Sequence, residues 1–298
     1  MHQKRYKYSE IFGDTFQGEG KYTGSPTIWL RFWGCNFECN GFSQVDPEDV
    51  TSYKLDYQTV DVSSIKKMED LPVFNTGCDS SYSWSKKFSH LAHTGTAIEI
   101  CDNLESWLKN EFNPQGTFYH PNSGLTTHLA FTGGEPMLNQ NAIVDIMQEF
   151  DSRGNLPWYI TCETNGTQDI RGKFADYMSE NYEAFEWFWS VSPKLYLSGE
   201  KKSDALKPEI LSQYNDSSPY GQLKYVCDGS NRAWDEVEEF TQAYRNVGVN
   251  WPVWIMPMGA TVEGQDKISA TVAEGAIKRG YNVAARVHCY VFGNKVGK

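Results

Sequence analysis

Short apolar runs that stop at a turn or at a reactive polar residue recur along this chain. They occupy residues 27–33, 129–131, 158–162, 186–191, 222–227 and 253–256. Each has strand length and is too continuous for a strand with one wet face, which predicts strands buried on both sides. Between the runs the apolar spacing lengthens to the helical three and four. Ala97, Cys101, Leu104, Leu108 and Phe112 share one face, and Ile143, Met147 and Phe150 share another behind an Asn139 cap, ending near Gly154. Trp234, Val237, Phe240 and Tyr244 follow an Asn231 cap, a last helix is expected around 268–278, and a further apolar run at 284–291 closes the chain. Strand then helix, repeated, predicts an α/β fold: parallel strands with crossover helices, forming an incomplete barrel.

In such a barrel the chemistry gathers at the carboxyl ends of the strands. Gly34-Cys35, Gly133-Gly134-Glu135, Glu163-Thr-Asn-Gly166, Ser192-Pro-Lys194 and Met256-Pro257 each follow an apolar run directly. One such placement is an ordinary turn; five together predict a site. The segment 41–77 is polar, with Asp46-Pro-Glu-Asp49 and Lys66-Lys-Met-Glu-Asp70, and reads as a surface insertion with one short helix around 64–69. A loop at 113–124 has turn composition and reads as a surface connection.

The 298 residues suit one domain, 1–298, carrying the insertion at 41–77. A net charge of -11 argues against broad nucleic-acid or anionic-membrane binding. No apolar stretch is long enough for a bilayer and the N-terminus lacks the apolar region of a signal peptide, so a cytoplasmic, reduced protein is expected.

Seven cysteines, an odd number without a secretory signal, argue against a disulfide framework. Cys101 falls on a helix face and Cys162, Cys227 and Cys289 in apolar runs, where free cysteine acts as a small buried residue. Cys35 and Cys39 share the loop after the first run. In a Cys-x3-Cys-x2-Cys loop the third thiol would stand at Phe42, which cannot bind metal; Gly77-Cys78-Asp-Ser80 resembles the missing piece, displaced by the insertion. Three thiolates on a four-iron cluster leave one iron open, which points to radical chemistry. A zinc half-site completed by His90 or His93 is the alternative, although that pair sits in polar sequence and reads as solvated.

Together these residues resemble the radical S-adenosylmethionine enzymes, and among them the 7-carboxy-7-deazaguanine synthase family. The likeness is carried by Glu10-Ile-Phe-Gly-Asp-Thr-Phe-Gln-Gly-Glu-Gly20, Gly24-Ser-Pro-Thr27, Arg31, Gly34-Cys-Asn36, Cys78-Asp-Ser80, Thr132-Gly-Gly-Glu-Pro136, Glu163-Thr-Asn-Gly-Thr167, Ser192-Pro-Lys194 and Arg286-Val-His288. It implies a 4Fe-4S cluster on Cys35, Cys39 and Cys78, with S-adenosylmethionine held by Thr132, Gly133, Gly134 and Glu135 on one side and Ser192 and Lys194 on the other. Glu135 would accept from the methionine ammonium. The implied substrate is a small pterin, 6-carboxy-5,6,7,8-tetrahydropterin, bound by Gln17, Glu19, Arg31, Glu163 and His288, the last four also catalytic. Arg31 would take the ring carboxylate and Ser80 a Mg2+ ion. An electron donor such as flavodoxin and a homodimer follow from the resemblance. A glycyl-radical activating enzyme shares cluster and cofactor, and a non-catalytic zinc-binding or interaction protein is the reading from another class.

Overall fold

A computed structural model of the protein describes residues 3–293 and 295–297. Among these, nine strands form one sheet in the order β3-β1-β2-β4-β5-β6-β7-β8-β9. The long β1 (Tyr6–Phe16) pairs antiparallel with β2 (Pro26–Phe32) and with β3 (His93–Gly95). From β2 onward every pairing is parallel, through β4 (His128–Gly133), β5 (Tyr159–Thr164), β6 (Glu186–Val191), β7 (Gly221–Cys227), β8 (Val253–Pro257) and β9 (Asn282–Val283). The six apolar runs are β2, β4, β5, β6, β7 and β8. The pattern did not reveal β1, whose polar residues interrupt its apolar ones and whose register shifts twice against β2.

The sheet curls into an incomplete barrel, as hydrogen bonds between distant strands require. Lys224 on β7 reaches both Glu163 on β5 and Glu19 just after β1. Gln222, also on β7, accepts from the Lys21 amide. At the far edge, the Val287 amide donates to the Gly18 carbonyl at 3.0 Å, and the Phe16 and Phe292 rings meet. The run 284–291 does not continue the sheet: it turns into a helix, Val287–Phe292, which brings its polar residues to the barrel mouth.

Helices Ala97–Leu108, Gln140–Ser152, Gly172–Glu180, Pro208–Ser217, Asn231–Asn246 and Ser269–Lys278 cover the outer face. The apolar stripes named from the sequence are buried, with Ala97 half-buried and Phe112 left beyond the end of its helix and exposed. Two caps differ from expectation. Ser230, not Asn231, accepts from the Ala233 amide, and the Asn139 side chain makes no cap bond. Cys101, Cys162, Cys227 and Cys289 are all buried, as the pattern predicts.

The insertion is more than a surface excursion. Tyr57, Ile65, Met68, Leu71 and Phe74 from it bury against Tyr82, Phe88 and Leu91 in a second apolar cluster. Its apolar residues are too irregularly spaced to show as a strand or helix, and the expected helix at 64–69 is only a 3-10 turn at Met68–Asp70. A helical turn at Asp56–Thr59 went unpredicted.

At the amino end of the barrel strands, His128 stacks on Tyr159 and meets the edge of Tyr22. Burial holds its imidazole neutral down to about 4. The unfolded chain takes up that proton nearer 6.5, so His128 contributes stability that is present above that pH and lost as the pH falls toward 4. The loss should reach roughly 3 kcal/mol, and a His128→Gln variant should lack this slope in denaturation midpoints measured between pH 7 and 4.

Candidate active site

The carboxyl ends of the strands open into a cavity of about 300 Å³. Its wall includes the three thiols Cys35, Cys39 and Cys78, together with Gln17, Glu19, Arg31, Ser80, Thr132, Gly133, Gly134, Glu163, Ser192, Lys194 and His288. Every site residue named from the sequence lies there except Glu135. His90 and His93 are exposed and away from it.

Backbone geometry brings the insertion back to the cysteine loop. The Gly77 amide donates to the Phe42 carbonyl at 2.8 Å, so the insertion leaves and returns at the place where a contiguous loop would carry its third thiol. Gly34 fixes the other side, its amide bonded to the Ser83 carbonyl at 2.8 Å. Cys39 sits at φ 51, a left-handed conformation unusual for a side chain with a β-carbon. Glu200 holds it there, one carboxylate oxygen accepting from the Glu38 and Cys39 amides at 2.9 and 2.7 Å.

Burial pushes the Cys35 thiol up to about 12 and raises Cys39 and Cys78, so none is a thiolate at neutral pH without a cation to favour it. Thiols with such a burial cost and a shared cavity fit a metal cluster. The Phe37 backbone N–H aims at the Cys35 sulfur at 3.4 Å. Among the described residues no three His, Cys, Asp or Glu side chains converge tightly enough for a single ion.

The glycines of the 133–135 motif are required by the cysteine loop. Gly133 has φ +142, and a β-carbon on Gly134 would lie 2.2 Å from the Gly34 carbonyl oxygen. The end of β4 therefore lies flat on the loop, with the Glu135 amide donating to Gly34 O at 2.8 Å. Glu135 itself departs from expectation. It is fully buried, and its carboxylate accepts from the Thr164 hydroxyl at 2.7 Å, the Asn165 amide at 2.7 Å and the Met137 amide at 3.0 Å. Those donors lock the end of β5 to the end of β4. Asn165 and Thr167 in turn bond Asn36, so three of the motifs interlock.

Deeper in, charge is concentrated. Lys224 Nζ lies 2.5 Å from Glu19 Oε2 and 3.0 Å from Glu163 Oε2, with its side chain 5% exposed. Arg286 Nε is 3.1 Å from Glu19 Oε1, while its Nη2 is 3.2 Å from Asp79. Burial alone would raise the Glu19 carboxyl; Lys224 and Arg286 outweigh it and hold Glu19 well below the usual carboxylate range. Burial lowers the His288 imidazole, which packs where any side chain on Gly18 would have to go.

Two substrate candidates are already engaged. The Gln17 side chain donates to the Glu163 carboxylate at 2.9 Å and accepts from the Glu19 backbone N–H at 3.1 Å, so it ties the Glu163 carboxylate to the backbone after β1. Arg31 donates through Nε to Glu10 at 2.6 Å and through Nη1 to Ser80 Oγ at 3.4 Å, between the rings of Phe12 and Tyr82. Lys224, Arg286, Asp79 and Glu10 were not named from the sequence as site residues. A lysine at the middle of the apolar run 222–227, in step with Gln222 and Val226, was the signal for Lys224.

No family model matches the chain. It is 27% identical to the 7-carboxy-7-deazaguanine synthase of Rhodopirellula baltica, over 97% of this chain and 89% of that protein. For the synthase of Pyrobaculum aerophilum the identity is 23%, over 99% and 98%. For that of Halobacterium salinarum it is 25%, over 92% and 86%. Among solved structures, hexahistidine-tagged anSMEcpe with bound AdoMet matches with a TM-score of 0.36 and 15% identity; the match covers 66% of this chain and about half, 53%, of that one. A partial barrel with three thiols at its mouth is thus found in a chain that is similar, along nearly its whole length, to 7-carboxy-7-deazaguanine synthases.

Proposed function

We propose that the chain, acting as one radical S-adenosylmethionine domain, converts 6-carboxy-5,6,7,8-tetrahydropterin to 7-carboxy-7-deazaguanine and ammonia, a ring contraction that feeds 7-deazapurine synthesis. One observation carries this: the thiols and a buried network of opposite charges share a single cavity in a chain similar to these synthases end to end. Cys35, Cys39 and Cys78 would hold a 4Fe-4S cluster, which would supply the one-electron reduction that S-adenosylmethionine chemistry of this kind needs. Thr132, Gly133, Gly134, Ser192 and Lys194 line the cofactor side of the cavity. Lys194 is its cation, with Nζ 3.3 Å from Ser192 Oγ, suited to the methionine carboxylate. Glu19, Glu163 and His288 offer acceptors to the N–H groups of the pterin edge, with Gln17 holding the Glu163 carboxylate in place. Arg31 and Arg286 are the cations for the ring carboxylate. A flavodoxin-type donor and a homodimer accompany this reading, and no helix of the described residues is long and apolar enough to cross a membrane.

Anaerobically reconstituted protein given the tetrahydropterin, S-adenosylmethionine, a reductant and Mg2+ should form product in many-fold excess over 5'-deoxyadenosine, read by mass spectrometry. One 5'-deoxyadenosine per event, with no pterin consumed and a radical installed on a partner protein, would replace this function with that of an activating enzyme.

Mg2+ belongs to the same proposal. Ser80 Oγ lies 3.2 Å from Asp79 Oδ1, an oxygen pair at the cavity wall that a hard cation could use with substrate and water oxygens. Ser80→Ala should retain cofactor binding and lose most of the Mg2+ stimulation of turnover, whereas Ser80→Thr keeps it. An equal Mg2+ response in wild type and alanine variant counts against Ser80.

A further inference from the structure

The loop that carries Cys39 is fastened to a 3-10 turn, Tyr196–Ser198, and the two residues after it. The Glu38 and Cys39 amides donate to one oxygen of Glu200 at 2.9 and 2.7 Å, and the Gly41 amide donates to the Ser198 carbonyl at 2.9 Å. The approach is close: a β-carbon on Gly41 would lie 2.4 Å from the Gly199 nitrogen. The turn is itself held from several sides. The Tyr196 amide donates to the buried Glu236 carboxylate at 2.7 Å, the Glu200 amide donates to Ser198 Oγ at 3.2 Å, and Tyr53 of the insertion stands where a side chain on Gly199 would have to go. Glu200 is half-buried, and among the described residues no lysine or arginine pairs with it. The reaction as proposed gives it no task.

We infer that Glu200 is a positioning residue for the cluster, which holds Cys39 in its left-handed conformation and keeps a negative charge beside that ligand, so that the cluster's potential is low. The inference rests on the cluster reading above. Reduction of a cluster adds negative charge, so a carboxylate close by opposes it. An N–H spent on Glu200 is also withheld from the cluster sulfurs, where it would favour reduction. Both effects act in one direction, toward the strongly reducing cluster that one-electron cleavage of a sulfonium demands. The fastening alone does not call for a charge. Both N–H groups reach the same oxygen, and an amide oxygen with its two lone pairs could accept them equally.

The test compares wild type, Glu200→Gln and Glu200→Asp after anaerobic reconstitution, by iron content and by an EPR-monitored redox titration, which reads only the loaded fraction. Glu200→Gln keeps the accepting oxygen and loses the charge, so it should load its cluster at a raised potential. At a fixed poise near the wild-type midpoint the ratio of reduced to oxidised cluster should rise about tenfold, which for a one-electron couple is 59 mV. Glu200→Asp keeps the charge on a shorter stem, and its potential should lie nearer to wild type than to Glu200→Gln. A Glu200→Gln potential equal to or below that of wild type overturns the inference. So does a Glu200→Asp potential as high as that of Glu200→Gln. Where Glu200→Gln loads no cluster, Glu200→Asp must load one at the wild-type potential; failure of both overturns the inference, because fit and not charge is then what the loop requires. A wild type that takes up no four-iron cluster overturns the cluster reading itself.

Discussion

Cys78→Ala protein, purified and reconstituted without oxygen, should carry no four-iron cluster: its visible absorbance and its iron should fall to background, as in Cys35→Ala and Cys39→Ala. The reason is the closed loop. The Gly77 amide on the Phe42 carbonyl returns the chain to the cysteine loop, so Cys78 stands where a contiguous motif places its third ligand. The long detour between Cys39 and Cys78 does not weaken this, because closure entropy grows only logarithmically with loop length and the insertion's own apolar cluster offsets it. Cys101→Ala and Cys227→Ala remove thiols buried in the core, away from the cavity, and should leave the cluster intact at a stability loss of about 1 kcal/mol. A Cys78→Ala protein with normal iron and absorbance would refute the displaced ligand.

The parts of this molecule that could be read from the sequence are those with a short-range signature. Buried parallel strands announce themselves as continuous apolar runs, and helices as stripes, so six strands and the main helices were legible. β1 was not, because the strand that closes the barrel mouth carries Ser9, Glu10 and Thr15 as buried polar residues that break the apolar pattern. The insertion's core was hidden for a related reason: its apolar residues sit in loops and 3-10 turns, where spacing carries no period.

The site was legible as a location and less so as a set of roles. Residues that follow strand ends come together in any barrel of this kind, so the motifs found the cavity wall. What each side chain does there depends on partners distant in the chain. Glu135 looks like an exposed acceptor on a turn until it is found buried, with Thr164 and Asn165 donating to its carboxylate. Gln17 looks like a recognition amide until Glu163 occupies its donor. Arg31 looks free until Glu10 is placed on the neighbouring strand. Part of what makes these motifs recognisable is therefore the mutual fastening of three loops, with Asn36, Glu135, Asn165 and Thr167 as the fasteners.

Lys224 is the residue whose removal should separate structure from chemistry most sharply. It is a cation with a 5% exposed side chain paired with two carboxylates, Glu19 and Glu163. In Lys224→Met, Glu163 loses its cation and Glu19 keeps only Arg286, so unfolding free energy should fall by about 3 kcal/mol, in the range for breaking a buried pair. Turnover should fall by about two orders of magnitude, equal to about 2.7 kcal/mol of barrier, because repulsion displaces both carboxylates from the cavity wall. Iron content should be unchanged, since the thiols do not touch this network. The pH dependence has a definite sign. Lys224 and Arg286 depress Glu19 against the opposing effect of burial, so its contribution is fully present above the ordinary glutamate pKa of about 4.3 and declines as the pH falls below it. The stability gap between wild type and variant should therefore be wide at pH 7 and narrow progressively in acid, and Lys224→Met combined with Glu163→Gln should regain stability without activity. A Lys224→Met enzyme with wild-type turnover and an unchanged urea midpoint would show that the two carboxylates need no cation between them, and would remove this network from the proposed chemistry.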